Sequence, residues 1–131
     1  MRDPERTDLI NYRLEQARRE LNTSVLLLNA DEFKKSAVCS YYCIFHAMRA
    51  VLAGEGFDSK KHSGVIAAFR ERYVKTNIFP AELSGIIREA FAARGRSDYE
   101  DFYVISKEEV VKQLENAKTF LATVEAYIKT L

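Results

Sequence analysis

The stretch that decides the fold is EFKKSAVCSYYCIFHAMRAVLA, which spans residues 32–53. Apolar side chains recur in it every three or four residues, as they do along one side of a helix. They form two adjacent faces, with Phe33, Ala37, Tyr41, Ile44, Met48 and Val51 on one, and Val38, Tyr42, Phe45 and Leu52 on the other. A helix that is apolar over so wide an arc contacts several neighbours. The stretch therefore predicts the central helix of a bundle.

Four further segments show helical periodicity on either side of this stretch. Residues 7–29 precede it, and residues 60–74, 80–96 and 106–131 follow it. In the last segment the apolar residues alternate at spacings of four and three, which is typical of helical bundles. We expect an all-α fold: an antiparallel, up-and-down four-helix bundle with one additional short helix, forming a single domain over residues 1–131.

Local residues predict where the helices begin and end. Asp31 is expected to cap the second helix, and Pro80 to occupy the first position of the fourth. Ser106 and Glu109 form a capping-box pattern at the start of the fifth helix. Residues 97–105 are expected to form an ordered loop with three aromatic anchors: Tyr99, Phe102 and Tyr103.

The composition limits the class of protein. The 131 residues carry a net charge of +1 and are 47% hydrophobic, which suits one folded domain and excludes disorder as the main state. No apolar run approaches the roughly 20 residues of a transmembrane helix, and the N-terminus has no apolar signal segment. We therefore expect a cytoplasmic protein without a membrane span, in which Cys39 and Cys43 stay reduced.

The familiar ligand motifs are absent from the sequence, including a glycine-rich phosphate loop, HExxH, paired CxxC and a calcium loop. Cys39, Cys43 and His46 fall at positions i, i+4 and i+7 and share one helical face. Two thiolates and an imidazole suit zinc, but cysteine also packs as a small apolar residue and no fourth ligand is evident. We expect these residues to belong to the core, and we predict neither a metal site nor a cofactor.

Each histidine has two interpretations. His46 follows Tyr42 by one turn, and it suits either a general acid or base or a hydrogen-bonded histidine of the core. His62 begins the third helix after Lys60 and Lys61, where a helix N-terminus and two lysines attract an anion. An exposed helix entry with a local cap is the simpler interpretation of His62.

Charge is uneven along the chain. Residues 60–96 hold eight basic and three acidic side chains, whereas residues 98–109 hold five acidic side chains and one lysine. A basic stretch beside aromatic residues attracts RNA or a polyphosphate, but two solvated faces that balance each other explain the pattern equally well. Where the two stretches meet, Arg94 is suited to bind a phosphate, or else to pair with Asp98 or Asp101 in a purely structural loop.

The sequence YYCIFHA at residues 41–47 resembles the YYxxFHA signature of HEPN domains, small helical domains described as nucleotide-binding in prokaryotes and higher eukaryotes. Three further stretches resemble the short, stand-alone bacterial and archaeal branch of that family: residues 61–66, 94–102 and 106–111. The resemblance covers residues 9–127, and the order and spacing of the stretches together make it specific.

The resemblance implies a helical bundle that pairs into a homodimer, often with a nucleotidyltransferase encoded next door as its partner. Many HEPN proteins are ribonucleases, often the toxins of toxin–antitoxin systems. In those proteins an arginine is followed, after four to six residues, by a histidine, and two protomers share one cleft. The arginine would hold the phosphate, and the histidine would act as a general acid or base.

The sequence departs from that pattern at one position. Arg94 matches the arginine, but Tyr99 stands five positions later and no histidine follows anywhere in the chain. A tyrosine with a pKa near 10 is a poor base at neutral pH. Either His46 or His62 reaches the cleft from another helix, or Tyr99 has another role, such as accepting a nucleotidyl group from the partner enzyme.

We therefore predict a binding protein, a homodimer that holds a nucleotide or RNA as part of a HEPN–nucleotidyltransferase system. The predicted binding residues are Arg94, Arg96, Asp98, Tyr99 and Tyr42. The alternative is a metal-independent ribonuclease that uses Arg94 with His46 or His62. In a third interpretation these side chains only stabilise the bundle and the dimer.

Overall fold

Helices make up most of the molecule. The structure is a computed structural model that describes residues 3–131. Its α-helices are α1 (Pro4–Asn29), α2 (Phe33–Ala53), α3 (His62–Phe69), α4 (Glu82–Tyr99) and α5 (Lys107–Ile128). A π-helical turn, Arg70–Val74, continues α3. The predicted all-α fold is confirmed, since four long helices and one short helix are present and residues 3–131 contain no strand.

α2 is the central helix, as its sequence predicts. It contacts α1, α3, α4 and α5, and most of its residues are buried. By length and composition α2 also qualifies as a membrane span, but 72% of the relevant window is buried inside the bundle. The core helix of a folded domain meets the same two criteria, and we assign α2 as such a helix.

The turn between α1 and α2 differs from its prediction. Asp31 does not cap α2; Glu32 occupies the N-cap position, and its side chain makes no capping hydrogen bond. Asp31 instead adopts a left-handed conformation with φ of 59°. The Asp31 and Glu32 amides donate to the carbonyls of Leu28 and Leu27, at 3.1 and 2.8 Å, which is the Schellman pattern of a helix C-terminus. Aspartate tolerates this conformation, so Asp31 ends α1 rather than starting α2.

The boundaries of α4 and α5 are predicted only in part. Pro80 does not open α4, because the helix begins at Glu82 after a tight turn that includes Pro80. Ser106 does cap α5, where its hydroxyl accepts a 3.1 Å hydrogen bond from the Glu109 amide. In a full capping box the Glu109 carboxylate accepts from the Ser106 amide. Here it instead accepts a 2.9 Å hydrogen bond from the side-chain amide of Gln113.

The segment between α4 and α5 also differs from its prediction. α4 continues to Tyr99, which shortens the loop to residues 100–106. Two of the expected anchors project into solvent, since Tyr99 is 74% exposed and Phe102 is 98% exposed. Ile105 is buried in a small second core cluster with Ala37 and Val110, and the half-buried Tyr103 packs against that cluster, so these two residues hold the loop to the bundle.

Candidate functional site

The YYCIFHA stretch divides its side chains between the core and a partly open face of α2. Tyr41 and Phe45 are four residues apart, so they are neighbours on the helix surface, and both are buried. Tyr42 and His46 lie at the edge of the core and are half-buried. The Tyr41 ring stacks on Phe45 at 6.0 Å between centroids and meets the edge of Tyr42 at 5.2 Å. These contacts hold the two tyrosine rings in place.

α4 brings Arg94 onto this aromatic surface. Its Nη2 donates a 3.1 Å hydrogen bond to the Tyr42 hydroxyl. Its Nε lies 3.3 Å from Asp98 Oδ2, close enough for an ion pair, but without the geometry of a hydrogen bond. The guanidinium carbon lies 5.6 to 5.7 Å from the ring centroids of Tyr41, Tyr42 and Tyr99. Arg94 is therefore held among three aromatic rings and one carboxylate.

α3 begins at the same surface. Its first residue is His62, whose Nδ1 is hydrogen-bonded to the Tyr41 hydroxyl at 2.7 Å. The imidazole stacks on Phe45 with 4.1 Å between centroids and an angle of 19° between planes. It also meets Tyr42 edge to face at 5.8 Å. His62 from α3 and Arg94 from α4 thus contact the same two tyrosines of α2.

The two groups differ in charge near neutral pH. Burial lowers the pKa of His62, and the charges of Arg94 and Arg49 lower it further, so the imidazole is neutral at pH 7. Burial lowers the pKa of Arg94. The hydrogen bond with Tyr42 and the electrostatic effect of Tyr42, Tyr99 and Asp98 outweigh burial, so the Arg94 pKa is raised overall. The surface therefore offers a permanent cation for a phosphate, beside an uncharged imidazole that can exchange a proton.

His46 has different surroundings. Its Nδ1 is buried and has no hydrogen-bond partner within residues 3–131. Burial, together with the charges of Arg49, Arg13 and His62, lowers its pKa to about 4. The ring is therefore neutral at pH 7 and a weak base there. The sequence treats the two histidines as equivalent candidates. In the structure His46 meets Tyr42 only through a ring contact of 6.2 Å between centroids, whereas His62 is hydrogen-bonded to Tyr41 and also meets the edge of Tyr42.

Sequence reasoning missed an ionic cluster next to His46. Arg13 is only 6% exposed, and it donates from Nη1 to the Arg49 carbonyl at 3.1 Å and from Nη2 to Asp58 at 3.2 Å. Arg49 Nη2 lies 3.3 Å from both carboxylate oxygens of Asp58. The three residues come from α1, α2 and the segment before α3, and no local spacing in the sequence connects them.

The predicted binding residues divide into two groups. Tyr42, Asp98 and Tyr99 surround Arg94, whereas the Arg96 guanidinium carbon lies 5.3 Å from the ring of Tyr103, toward the loop. Arg94 also pairs with Asp98, one of the two partners that the structural interpretation gives it. Tyr41 contacts both His62 and Arg94 and so belongs to the site as well. Its apolar spacing in the sequence assigns it only to the core. Its position beside Tyr42 in the YYxxFHA signature is the sequence feature that points to the site.

The cysteines belong to the interior. Cys43 is buried and Cys39 is half-buried. Burial and the carboxylate of Glu20 raise the pKa of both thiols to about 12, so they stay protonated at neutral pH. Within residues 3–131, no group of three His, Cys, Asp or Glu side chains is arranged to hold a metal ion.

Comparison with known proteins identifies the family of this chain. The model of the HEPN domain family matches residues 10–127. A UPF0332 protein of Thermotoga maritima is 32% identical over 127 residues, which cover 97% of this chain and 96% of that protein. A candidate toxin of Methanocaldococcus jannaschii is 32% identical over 115 residues, covering 88% and 78%. The chain therefore belongs to the HEPN domain family, and the resemblance seen in residues 41–47 is confirmed.

A solved structure supports the fold independently. The crystal structure of the Thermus thermophilus protein TT1696 matches this chain with a TM-score of 0.77, over 90% of this chain and 97% of that one. The two sequences are only 18% identical. The two proteins thus share their helical architecture, although most of their side chains differ.

Proposed function

We propose that this HEPN protein is a homodimer that binds RNA or a nucleotide at Arg94, as one component of a toxin–antitoxin-type system with a nucleotidyltransferase. The observation that supports binding is the position of Arg94 among Tyr41, Tyr42 and Tyr99. A guanidinium binds phosphate oxygens with two parallel hydrogen bonds, and the Tyr99 ring, 74% exposed, offers a face on which a base can stack.

The surface beside this site supports a protein partner. Tyr99, Phe102 and Val104 are 74%, 98% and 87% exposed, and exposed apolar side chains grouped in one segment mark interaction surfaces. A groove of about 490 Å³ lies between this loop and residues 31–34. In the proposed dimer a second copy covers Phe102 and Val104, leaves the Tyr99 ring open to a base, and brings a second Arg94 to the shared cleft. A place in a toxin–antitoxin-type system is supported by the name of the Methanocaldococcus jannaschii relative.

The binding proposal is tested with fluorescein-labelled single-stranded RNA and Arg94→Gln. We expect the variant to bind about tenfold more weakly, because it loses the permanent charge at the phosphate position. Arg6→Gln is the matched control, since Arg6 is exposed and donates only a 3.4 Å hydrogen bond to the Gly54 carbonyl. Equal affinity of Arg94→Gln and the wild type, with circular dichroism unchanged, would overturn the proposal.

The second candidate function is a metal-independent ribonuclease that uses Arg94 and His62. It is favoured by the hydrogen bond and ring contacts that hold the neutral His62 imidazole against the tyrosines around Arg94. A cleavage assay with EDTA tests it: Arg94→Gln and His62→Gln should lose cleavage, whereas His46→Gln should retain it. Binding of RNA by the wild type without any cleavage rejects the ribonuclease and leaves the binding function.

A further inference from the structure

A separate cavity adjoins the Arg94 surface, between α3 and α4. Its volume is about 290 Å³. It is lined by Ser63, Ile66, Ala67, Arg70, Arg88 and Phe91. Ser63 directly follows His62, and Phe91 precedes Arg94 by about one helical turn. The Phe91 ring meets the Tyr41 ring edge to face at 5.9 Å, so the cavity continues the aromatic surface that holds Arg94.

The two arginines of this cavity have no carboxylate partner. Among residues 3–131, the arginines that do pair with carboxylates are Arg13, Arg18, Arg19, Arg49, Arg72 and Arg94. Arg70 Nη2 donates to the Ser84 carbonyl at 3.0 Å, and Arg70 Nε is buried without a partner. Arg88 is exposed at the rim. Two uncompensated guanidinium groups in one cavity favour an anion.

The position of the cavity relative to Arg94 suits a second phosphate. Arg88 and Arg94 are six residues apart on α4, which corresponds to about 9 Å along the helix axis. Phe91 lies midway between them and is 43% exposed, so its ring is available to a base. Tyr42 holds Arg94 and the Ser84 carbonyl holds Arg70, so the two anchored guanidinium groups serve two separate positions.

We propose that the Arg70–Arg88 cavity is a second phosphate subsite, which binds the phosphate next to the one held by Arg94. This inference rests on the proposed function, because it extends the same ligand beyond Arg94. The ligand then carries at least two consecutive phosphodiester phosphates, and the base between them stacks on Phe91. That base is unpaired, so the subsite selects a single strand over a duplex.

Binding of 5′-phosphorylated uridine oligonucleotides of increasing length tests the subsite. Under the proposal, uridine monophosphate binds at Arg94 with its base on the Tyr99 ring and fills only that position, whereas a tetranucleotide reaches both positions. Arg88→Gln should weaken tetranucleotide binding by about three- to tenfold and lower the salt slope by about one, as expected for one lost phosphate contact. Binding of uridine monophosphate should not change. Arg6→Gln, which removes the same charge from an exposed arginine of α1, should bind both ligands like the wild type.

The outcomes separate this inference from the proposed function. Tetranucleotide binding that depends on Arg94 but is the same in Arg88→Gln and Arg6→Gln overturns the subsite and leaves the proposed function intact. If uridine triphosphate binds as tightly as the tetranucleotide, the cavity holds a triphosphate tail. The proposal that it binds the next phosphate of an RNA strand is then overturned. If the wild type binds none of these ligands, both proposals fall.

Discussion

The Tyr41 hydroxyl and His62 Nδ1 lie 2.7 Å apart, and this hydrogen bond joins the core of the bundle to its candidate site. Tyr41 is fully buried, whereas His62 is half-buried at the start of α3. Burial raises the pKa of Tyr41, so its hydroxyl remains protonated at any physiological pH. The contact therefore joins two neutral groups, and its contribution to stability is measurable by removing one oxygen atom.

Tyr41→Phe should lower the free energy of unfolding by about 1 kcal/mol, since it removes one partly buried hydrogen bond and keeps the ring. Urea denaturation followed by circular dichroism measures the change. Tyr12→Phe is the control, because Tyr12 is 62% exposed and should change stability very little. Equal effects of the two substitutions would show that the Tyr41–His62 contact does not stabilise the fold.

His46 should make the stability depend on pH. Its pKa is about 4 in the folded protein and about 6.5 in an unfolded chain, so the unfolded state binds more protons between these values. Its contribution is fully present above about pH 6.5 and is lost as the pH falls toward 4. We expect a difference of about 2 kcal/mol over this range, reduced from the full linkage value because the ring is partly solvated.

Urea unfolding of the wild type and His46→Gln at several pH values between 4.5 and 7.5 isolates this contribution. The carboxylates titrate in both proteins, so their effect cancels in the difference. The wild type should lose more stability than the variant as the pH falls. Parallel curves would show that His46 has an ordinary pKa and that its surroundings are open to water.

Asp58→Asn should destabilise the protein by about 1–2 kcal/mol, because it leaves the buried Arg13 guanidinium without a counter-charge. The effect stays this small because the Asp58 carboxylate is half exposed to water. Burial opposes the Asp58 charge, but the Ser59 amide, Arg13 and Arg49 outweigh it and lower the Asp58 pKa. The stabilisation that the Asp58 carboxylate gives the folded protein is thus present above the ordinary aspartate pKa, and it is lost as the pH falls below that pKa. Asp101→Asn, at an exposed carboxylate, serves as control in chemical denaturation.

At dilutions at which both proteins are monomeric, Phe102→Ser should leave the free energy of unfolding within about 0.5 kcal/mol of the wild type, since the ring is 98% exposed. Under the proposed dimer, the same change should shift the sedimentation of the protein toward the monomer. Phe69→Ala, at a side chain with 0% exposure, should instead cost about 3–5 kcal/mol. A dimer that survives Phe102→Ser would remove this loop from the interface.

The helices could be predicted because their information is local. The apolar spacing of residues 32–53 identifies α2 and its central position, and the Ser106 cap is evident from neighbouring residues. Asp31 shows where local reasoning fails. An aspartate between two helices suits the end of the first as well as the start of the second, and only the backbone conformation decides between them.

For the candidate site, the individual residues could be predicted from the sequence, but their arrangement could not. The sequence identifies Arg94, Tyr42 and Tyr99 separately, and the resemblance to HEPN domains supplies a reason to group them. Their approach to His62 depends on how α2, α3 and α4 pack, which no spacing along the chain encodes. The exposure of Phe102 could not be predicted either, because an aromatic residue in a loop suits an anchor as well as an interaction surface.

The central position of α2 also determines how the site responds to thermal motion. The same helix supplies the middle of the core and the tyrosines that hold Arg94 and His62. Amides in such a helix exchange with solvent only when the whole domain opens, unlike those of mobile loops. Hydrogen exchange at residues 41–45 should therefore report the global free energy of unfolding. The tyrosine surface that α2 presents to Arg94 and His62 is then available for as long as the protein is folded, and it is lost only when the whole domain unfolds.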